Sequence, residues 1–278
     1  MTSASNTLLV VLGKPGRLRS VSLEIFVTQV KNCIFVDPIK IKQADRNAAL
    51  VNERLSEVLL GKRLSDSELG CAIAHKNARA AAIVALKSQN NMKWALFVED
   101  DADLNAELFN RIHDELENVD SKVPTLVNYD SRNQNRAMPL QNRNQRKPLR
   151  ASRVWFAGAV CYAVNQEGLH YLRRFTDLPV DYVADWPIYY SQLKLIVSNQ
   201  TLVSEVEGLS SIGERPNHRI RKRLTMHIRQ LLYLRKLSNL YAIPVRAIVH
   251  HLIITPLFRD VSGRLLSFRS KLSKLIRN

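Results

Sequence analysis

Four acids fall within five residues: Glu99, Asp100, Asp101 and Asp103. They follow directly on Trp94-Ala95-Leu96-Phe97-Val98, a short apolar run that reads as a buried strand. Carboxylates gathered at a strand end repel one another and are costly to desolvate together. A divalent cation offsets that cost, and hard oxygen ligands suit Mg²⁺ or Mn²⁺. Strand periodicity continued through the cluster predicts Glu99 and Asp101 on one side and Asp100 on the other. A second reading treats the same acids as a helix start, with Asp100, Asp101 or Asp103 as cap. On this stretch alone both readings stand.

Two other groups carry chemistry. Cys71 and His75 are four apart, so they share one face if their segment is helical. Here the alternatives are a hydrogen-bonded structural histidine and a group lining a ligand pocket. Arg17 and Arg19 follow the turn Gly13-Lys14-Pro15-Gly16 and could meet a phosphate or remain solvated. That turn is not a P-loop, because the Gly-Lys-Ser/Thr ending is missing.

The elements that would position these groups alternate. Residues 7–12 are apolar and β-branched, a first strand, and a helical pattern continues through Leu23, Phe26, Val27 and Val30. Residues 33–36 read as a second strand ending at Asp37-Pro38, so the chain opens as α/β. Ser65 with Glu68 forms a capping box for a helix over about residues 69–87, with Ala78 and Ala82 continuing the Cys71–His75 face. After the acidic cluster, residues 105–119 read as a helix and 125–129 as a strand. Residues 131–153 hold seven Arg or Lys and no acid, a long polar insertion. Residues 154–164 are apolar, interrupted by Gly158, and Asn165 caps a helix striped by Leu169, Leu172 and Phe175. Residues 201–206 read as a last strand.

The totals bound the class. The chain has 278 residues, 46% of them hydrophobic, enough for a large core. Its net charge of +16 is uneven: residues 215–278 hold 15 Lys or Arg against one acid, while the rest hold 26 against 24. The division expected is a nearly neutral domain over 1–213 and a basic amphipathic helical region over 214–278. Cys33, Cys71 and Cys161 form no zinc spacing and leave one thiol over in any pairing, which suits a reducing compartment. Residues 1–12 lack the basic start of a signal peptide, and no apolar window reaches the roughly 18 residues of a membrane span. The expectation is a cytoplasmic protein.

The order of motifs resembles glycosyltransferase family 25, the bacterial lipooligosaccharide glycosyltransferases. Leu64-Ser65-Asp66-Ser67-Glu68-Leu69-Gly70-Cys71-Ala72-Ile73-Ala74-His75 is similar to the family's Leu-Thr-x-Gly-Glu-Ile-Gly-Cys-x-x-Ser-His. Val98-Glu99-Asp100-Asp101 follows, like its Leu-Glu-Asp-Asp. Gly158 to Asn165 resembles its Gly-Thr-x-x-Tyr-x-x-Ser segment, Leu178-Pro179-Val180-Asp181 its Leu-Pro-Val-Asp, and Ser210-Ser211-Ile212 its closing Ser-x-Ile. The likeness covers roughly residues 7–213. Ala74 departs from the family serine, the N-terminal arginine motif is poorly kept, and the 131–153 insertion is longer and more basic than the family's region.

The resemblance implies a GT-A-like, Rossmann-type nucleotide-sugar-binding domain with a C-terminal basic α-helical appendage. It implies a metal-dependent, inverting transfer of a hexose such as galactose from a UDP-sugar to a lipid-linked oligosaccharide. Mn²⁺ or Mg²⁺ would be held by Asp101, with Glu99 as second metal residue. Arg17, Glu68, Gly70, His75, Glu99, Asp100 and Gly158 would line the donor pocket. Inversion needs a base on the acceptor hydroxyl, and Asp181 and Asp185, four apart, are the candidates, with Trp186 to pack on a sugar ring. The basic tail would dock on the anionic inner face of the bacterial inner membrane, the competing reading being helices packed on the domain or a homodimer. The alternative function is a basic nucleic-acid-binding protein, suggested by the sequence pI of about 10. The basic segments lack the interleaved aromatics such a reader uses for stacking, so no nucleic-acid partner is expected.

Overall fold

The computed structural model describes residues 6–37, 52–60, 63–88, 91–133, 149–151, 158–178, 180, 188–198 and 200–206, with 235, 238 and 239. The strands are β1 (Thr7–Leu12), β2 (Cys33–Val36), β3 (Trp94–Glu99), β4 (Thr125–Asn128), β5 (Leu149–Ala151), β6 (Cys161–Asn165) and β7 (Lys194–Ser198). The helices are α1 (Val21–Val27), α2 (Glu53–Leu60), α3 (Asp66–Ser88), α4 (Ala106–Glu117) and α5 (Gln166–Leu172). Among the described residues the strands form one sheet in the order β2-β1-β3-β6-β4-β7-β5. β2, β1 and β3 are parallel, β6 runs against both β3 and β4, β7 is parallel to β4, and β5 opposes β7.

Both faces of the sheet are covered, which is why β1 and β3 are apolar throughout rather than alternating. Leu8, Val10, Ala95 and Phe97 meet Leu69, Ala78 and Ala82 of α3 on one face. Leu9, Val11, Leu96 and Val98 meet Leu23 of α1 and Ile112 of α4 on the other. The chain leaves β1 toward β2 through α1 and reaches β3, on the other side of β1, after α3. The strand order therefore reverses between β1 and β3, and such a reversal opens a crevice beyond the carboxyl ends of the strands.

Local chemistry explains the element ends. Ser65 and Glu68 form the reciprocal capping box at the start of α3: Ser65 N–H donates to Glu68 Oε2 at 3.0 Å and Glu68 N–H to Ser65 Oγ at 3.2 Å. Asn165 is the cap of α5, its Oδ1 accepting from Gly168 N–H at 2.8 Å. Several expectations need correction. Asp103 is not the cap of α4; Asn105 is, accepting from Leu108 N–H at 3.0 Å, while Asp103 Oδ1 accepts from Ser22 Oγ at 2.6 Å. Residues 201–206 make only isolated bridges, at Val203 with Asp130 and Glu205 with Ala102. The last strand is instead β7, whose Leu195-Ile196-Val197 run pairs beside β4. The 131–153 insertion contributes β5 to the sheet edge. Asp181, Asp185, Trp186, Ser210-Ser211-Ile212 and the basic tail apart from three residues lie outside the described residues.

Candidate active site at the end of strand β3

β3 ends at Glu99, so strand periodicity stops before Asp101, and the three acids take three different surroundings. Glu99 continues the face of Ala95 and Phe97 and turns toward α3. There His75 Nε2 lies 2.9 Å from Glu99 Oε1, and Cys71 Sγ donates to the same oxygen at 3.7 Å. His75 is fully buried, and its Nδ1 lies 2.9 Å from the hydroxyl of Tyr162 on β6. Burial alone would raise the Glu99 carboxyl. The hydrogen bond and electrostatic pull of His75, joined by Arg132 and Cys71, outweigh it and hold Glu99 below the usual glutamate range.

Asp100 turns to the other side and meets Arg19 in a bidentate pair, with Arg19 Nε donating to Oδ2 at 2.9 Å and Nη2 to Oδ1. The Asp100 carbonyl accepts from Arg19 N–H at 3.0 Å and Ser20 N–H at 2.9 Å, fastening the start of α1 to the end of β3. Gly13 permits this approach, since a Cβ there would lie 2.9 Å from Asp100 Cβ.

Asp101 is only 1% exposed. Its Oδ2 lies 3.1 Å from Arg19 Nη2, while its Oδ1 has no hydrogen-bond partner. Burial, then the charge of Glu99, pushes its carboxyl up to about 7; Arg19 opposes this, and Glu205 and Asp100 reinforce it. A buried carboxyl with a bare oxygen among other acids is an electrostatic deficit that a proton or a cation can offset. Residues 203–206 close this side of the cluster: Val206 N–H donates to the Asp101 carbonyl at 2.9 Å and Asp103 N–H to the Ser204 carbonyl at 2.8 Å.

A second acid stands beyond the end of β4. Asp130, 1% exposed, accepts from Arg132 Nη2 at 2.6 Å and from Arg132 Nε at 2.9 Å, and Arg132 Nη1 reaches Glu205 at 3.5 Å. Gly158 has φ of +80°, and a Cβ there would overlap Arg132 Nη2 and Asp130 Oδ2. The glycine of the 158–165 motif thus leaves room for an ion pair.

Of the residues expected at the site, Glu99, Asp100 and Asp101 stand at the carboxyl end of β3, His75 reaches Glu99 from α3, and Gly158 lies nearby through Arg132. Glu68 is buried in its capping box, and Gly70 is buried in the first turns of α3. Arg17 is exposed, its backbone N–H donating to the Lys14 carbonyl at 3.1 Å; the arginine on the acids is Arg19. Asp130, Arg132 and Glu205 were not singled out. Asp130 carried a usable signal, an acid two residues beyond an apolar strand. Glu205 carried none, because a non-local bridge brings it here.

No match was found among curated proteins. The nucleic-acid alternative gains no support from fold, site or family. The model for glycosyltransferase family 25 (LPS biosynthesis protein) matches residues 16–184, more than half of the 278, so the chain belongs to that family and is a glycosyltransferase.

Proposed function

We propose that this chain is a metal-dependent, inverting hexosyltransferase that moves a sugar from a UDP-sugar to a lipooligosaccharide or lipopolysaccharide acceptor. The observation that carries the metal is Asp101, with its bare, buried Oδ1 and its proton affinity raised to about 7 beside Glu99 and Asp100. Asp101 is the direct ligand in this reading, with Glu99 the second metal residue. A bound Mn²⁺ or Mg²⁺ stabilises the negative charge that develops on a departing nucleotide diphosphate.

The protein's own groups do the rest. Glu99, kept anionic by His75, and Asp100, braced by Arg19, supply fixed acceptors for the ribose or for a metal-bound water. The β1/β3 crevice is the expected seat of a nucleotide in an open α/β sheet, which favours a GT-A-like arrangement. Asp181 or Asp185 takes the proton from the acceptor hydroxyl. The basic region over 214–278 docks the enzyme on an anionic membrane surface, where a lipid-linked acceptor is found.

The test is a panel of nucleotide sugars scored for Mn²⁺- or Mg²⁺-dependent hydrolysis and transfer. One donor should turn over only with metal. Asp101→Asn should remain folded and lose turnover by orders of magnitude. Equal turnover in chelator and in metal would defeat the reading.

A further inference from the structure

We propose that Cys71, His75 and Glu99 form a site for a thiophilic divalent ion of the zinc class, sharing the Glu99 carboxylate with the hard-oxygen position at Asp101. Sγ of Cys71, a ring nitrogen of His75 and a carboxylate oxygen of Glu99 all lie within 4.8 Å of one another. Zinc bonds of about 2.3 Å to sulfur and about 2.0–2.2 Å to nitrogen and oxygen set ligand–ligand edges of roughly 3.3–3.6 Å in a tetrahedron. The His75 Nε2 to Glu99 Oε1 separation of 2.9 Å and the Cys71 Sγ to Glu99 Oε1 separation of 3.7 Å bracket those edges. The remaining Cys71–His75 separation lies within 4.8 Å, so side-chain adjustment at that edge would close the ion's coordination.

The ligands are fixed by secondary structure rather than by loops. Cys71 and His75 stand one turn apart on α3, and Glu99 ends β3 against the same face. Three protein ligands leave a fourth position for water, the composition of an open zinc site. Thiolate with imidazole prefers zinc over magnesium, whereas Asp101 offers oxygen alone.

A second observation points the same way. His75 Nδ1 is engaged by the hydroxyl of Tyr162, which is 3% exposed. That partner holds the ring and leaves Nε2 facing the other two ligands, the orienting task that carboxylates, carbonyls or waters perform for other metal-binding histidines. A hydroxyl can donate to Nδ1 or accept from it, so the ring can carry its proton on Nδ1 while Nε2 binds metal. Binding then releases the Cys71 thiol proton and any proton on Nε2 to solvent. Tyr162 is itself anchored. It stacks on Phe97 at 4.9 Å between centroids and lies by Arg79, a buried guanidinium that donates to Tyr190 at 2.8 Å and Tyr189 at 3.1 Å.

The site stands whether or not Asp101 holds a catalytic cation, and its test needs no sugar donor. The reduced, metal-stripped full chain is titrated with Co²⁺. One equivalent should give a thiolate-to-cobalt charge-transfer band that Zn²⁺ abolishes by displacement. The band should vanish in Cys71→Ser and persist in Cys33→Ser and Asp101→Asn. Because Cys71→Ser could fail to fold, the wild-type chain is also alkylated and mapped by mass spectrometry. Zinc at ten times its Kd should slow alkylation of Cys71 at least about tenfold, with Mg²⁺ giving no protection. No band in the wild type, a band that survives Cys71→Ser, or Cys71 alkylation unchanged by zinc would each overturn the proposal.

Discussion

Asp101 is where the chemistry is most exposed to measurement. A free aspartate titrates near ~3.9, and in the fold Asp101 is pushed up to about 7, first by burial and then by Glu99. Because the folded value is the higher one, Asp101 contributes stability at low pH. That contribution is lost as pH rises through about 7. Asp101→Asn mimics the protonated form at every pH. In metal-free buffer the melting temperature of the variant should therefore exceed that of wild type by a margin that widens between about pH 5 and about pH 8. Mn²⁺ or Mg²⁺ should narrow the margin by stabilising wild type alone. A margin independent of pH would show that burial of this carboxylate has been misjudged. The acids themselves were legible as a cluster, since four in five residues after an apolar run is a local signal. Their division of labour was not. It depends on the strand stopping at Glu99 and on Arg19, which is 81 residues from Asp100 in sequence and beside it in space.

At the level of elements, two positions hold the site's frame. Asn165 is fully buried and uses both ends of its amide. Its Oδ1 accepts from Gly168 N–H at 2.8 Å and Thr125 N–H at 2.9 Å, and its Nδ2 donates to the carbonyls of Ser121 at 3.0 Å and Val123 at 2.7 Å. It therefore caps α5 and ties the entry of β4 to β6. Asn165→Ala leaves two buried N–H groups and two carbonyls less satisfied and should cost about 2–4 kcal/mol in urea denaturation. A loss below about 0.5 kcal/mol would mean water replaces these bonds freely. Gly158→Ala tests the other anchor. Its φ of +80° and the crowding by Arg132 and Asp130 predict a loss of about 1–3 kcal/mol and displacement of that ion pair. A stability equal to wild type would contradict it. The capping box, the Asn165 cap and the buried runs of β1 and β3 were readable because each is written within a few neighbouring residues. β7 went unread although Leu195-Ile196-Val197 is an apolar run; its pairing beside β4 is what no neighbouring residue marks. α2 also went unmarked, although Glu53–Leu60 carries apolar residues at helical spacing.

For the molecule as a whole, alternation of strands and helices announced the α/β class, and the family match agrees with it. The sheet order did not follow from that alternation. β6 inserts antiparallel between β3 and β4, a non-local pairing that brings Tyr162 beneath His75. The charge asymmetry is a property of the whole chain and carries its own prediction. Leu265, Phe268, Leu272 and Leu275 recur at helical spacing, with Arg264, Lys271, Lys274 and Arg277 mostly off that stripe. Each cation near an anionic surface contributes on the order of 1 kcal/mol at low salt. Full-length protein should pellet with anionic vesicles at low salt, release at high salt, and lose binding when truncated after Gly213. A truncated protein that pellets as well as full length would rule out the tail as the anchor. Among the described residues no helix is long and apolar enough to cross a membrane.

The most direct measurement is sugar transfer by the wild-type and Asp101→Asn proteins across a nucleotide-sugar panel, each with Mn²⁺, with Mg²⁺ and with chelator. Wild type should turn over one donor with metal alone, and a folded Asp101→Asn should fall by several orders of magnitude. Near-wild-type transfer by Asp101→Asn with the same metal dependence would contradict the assignment of Asp101.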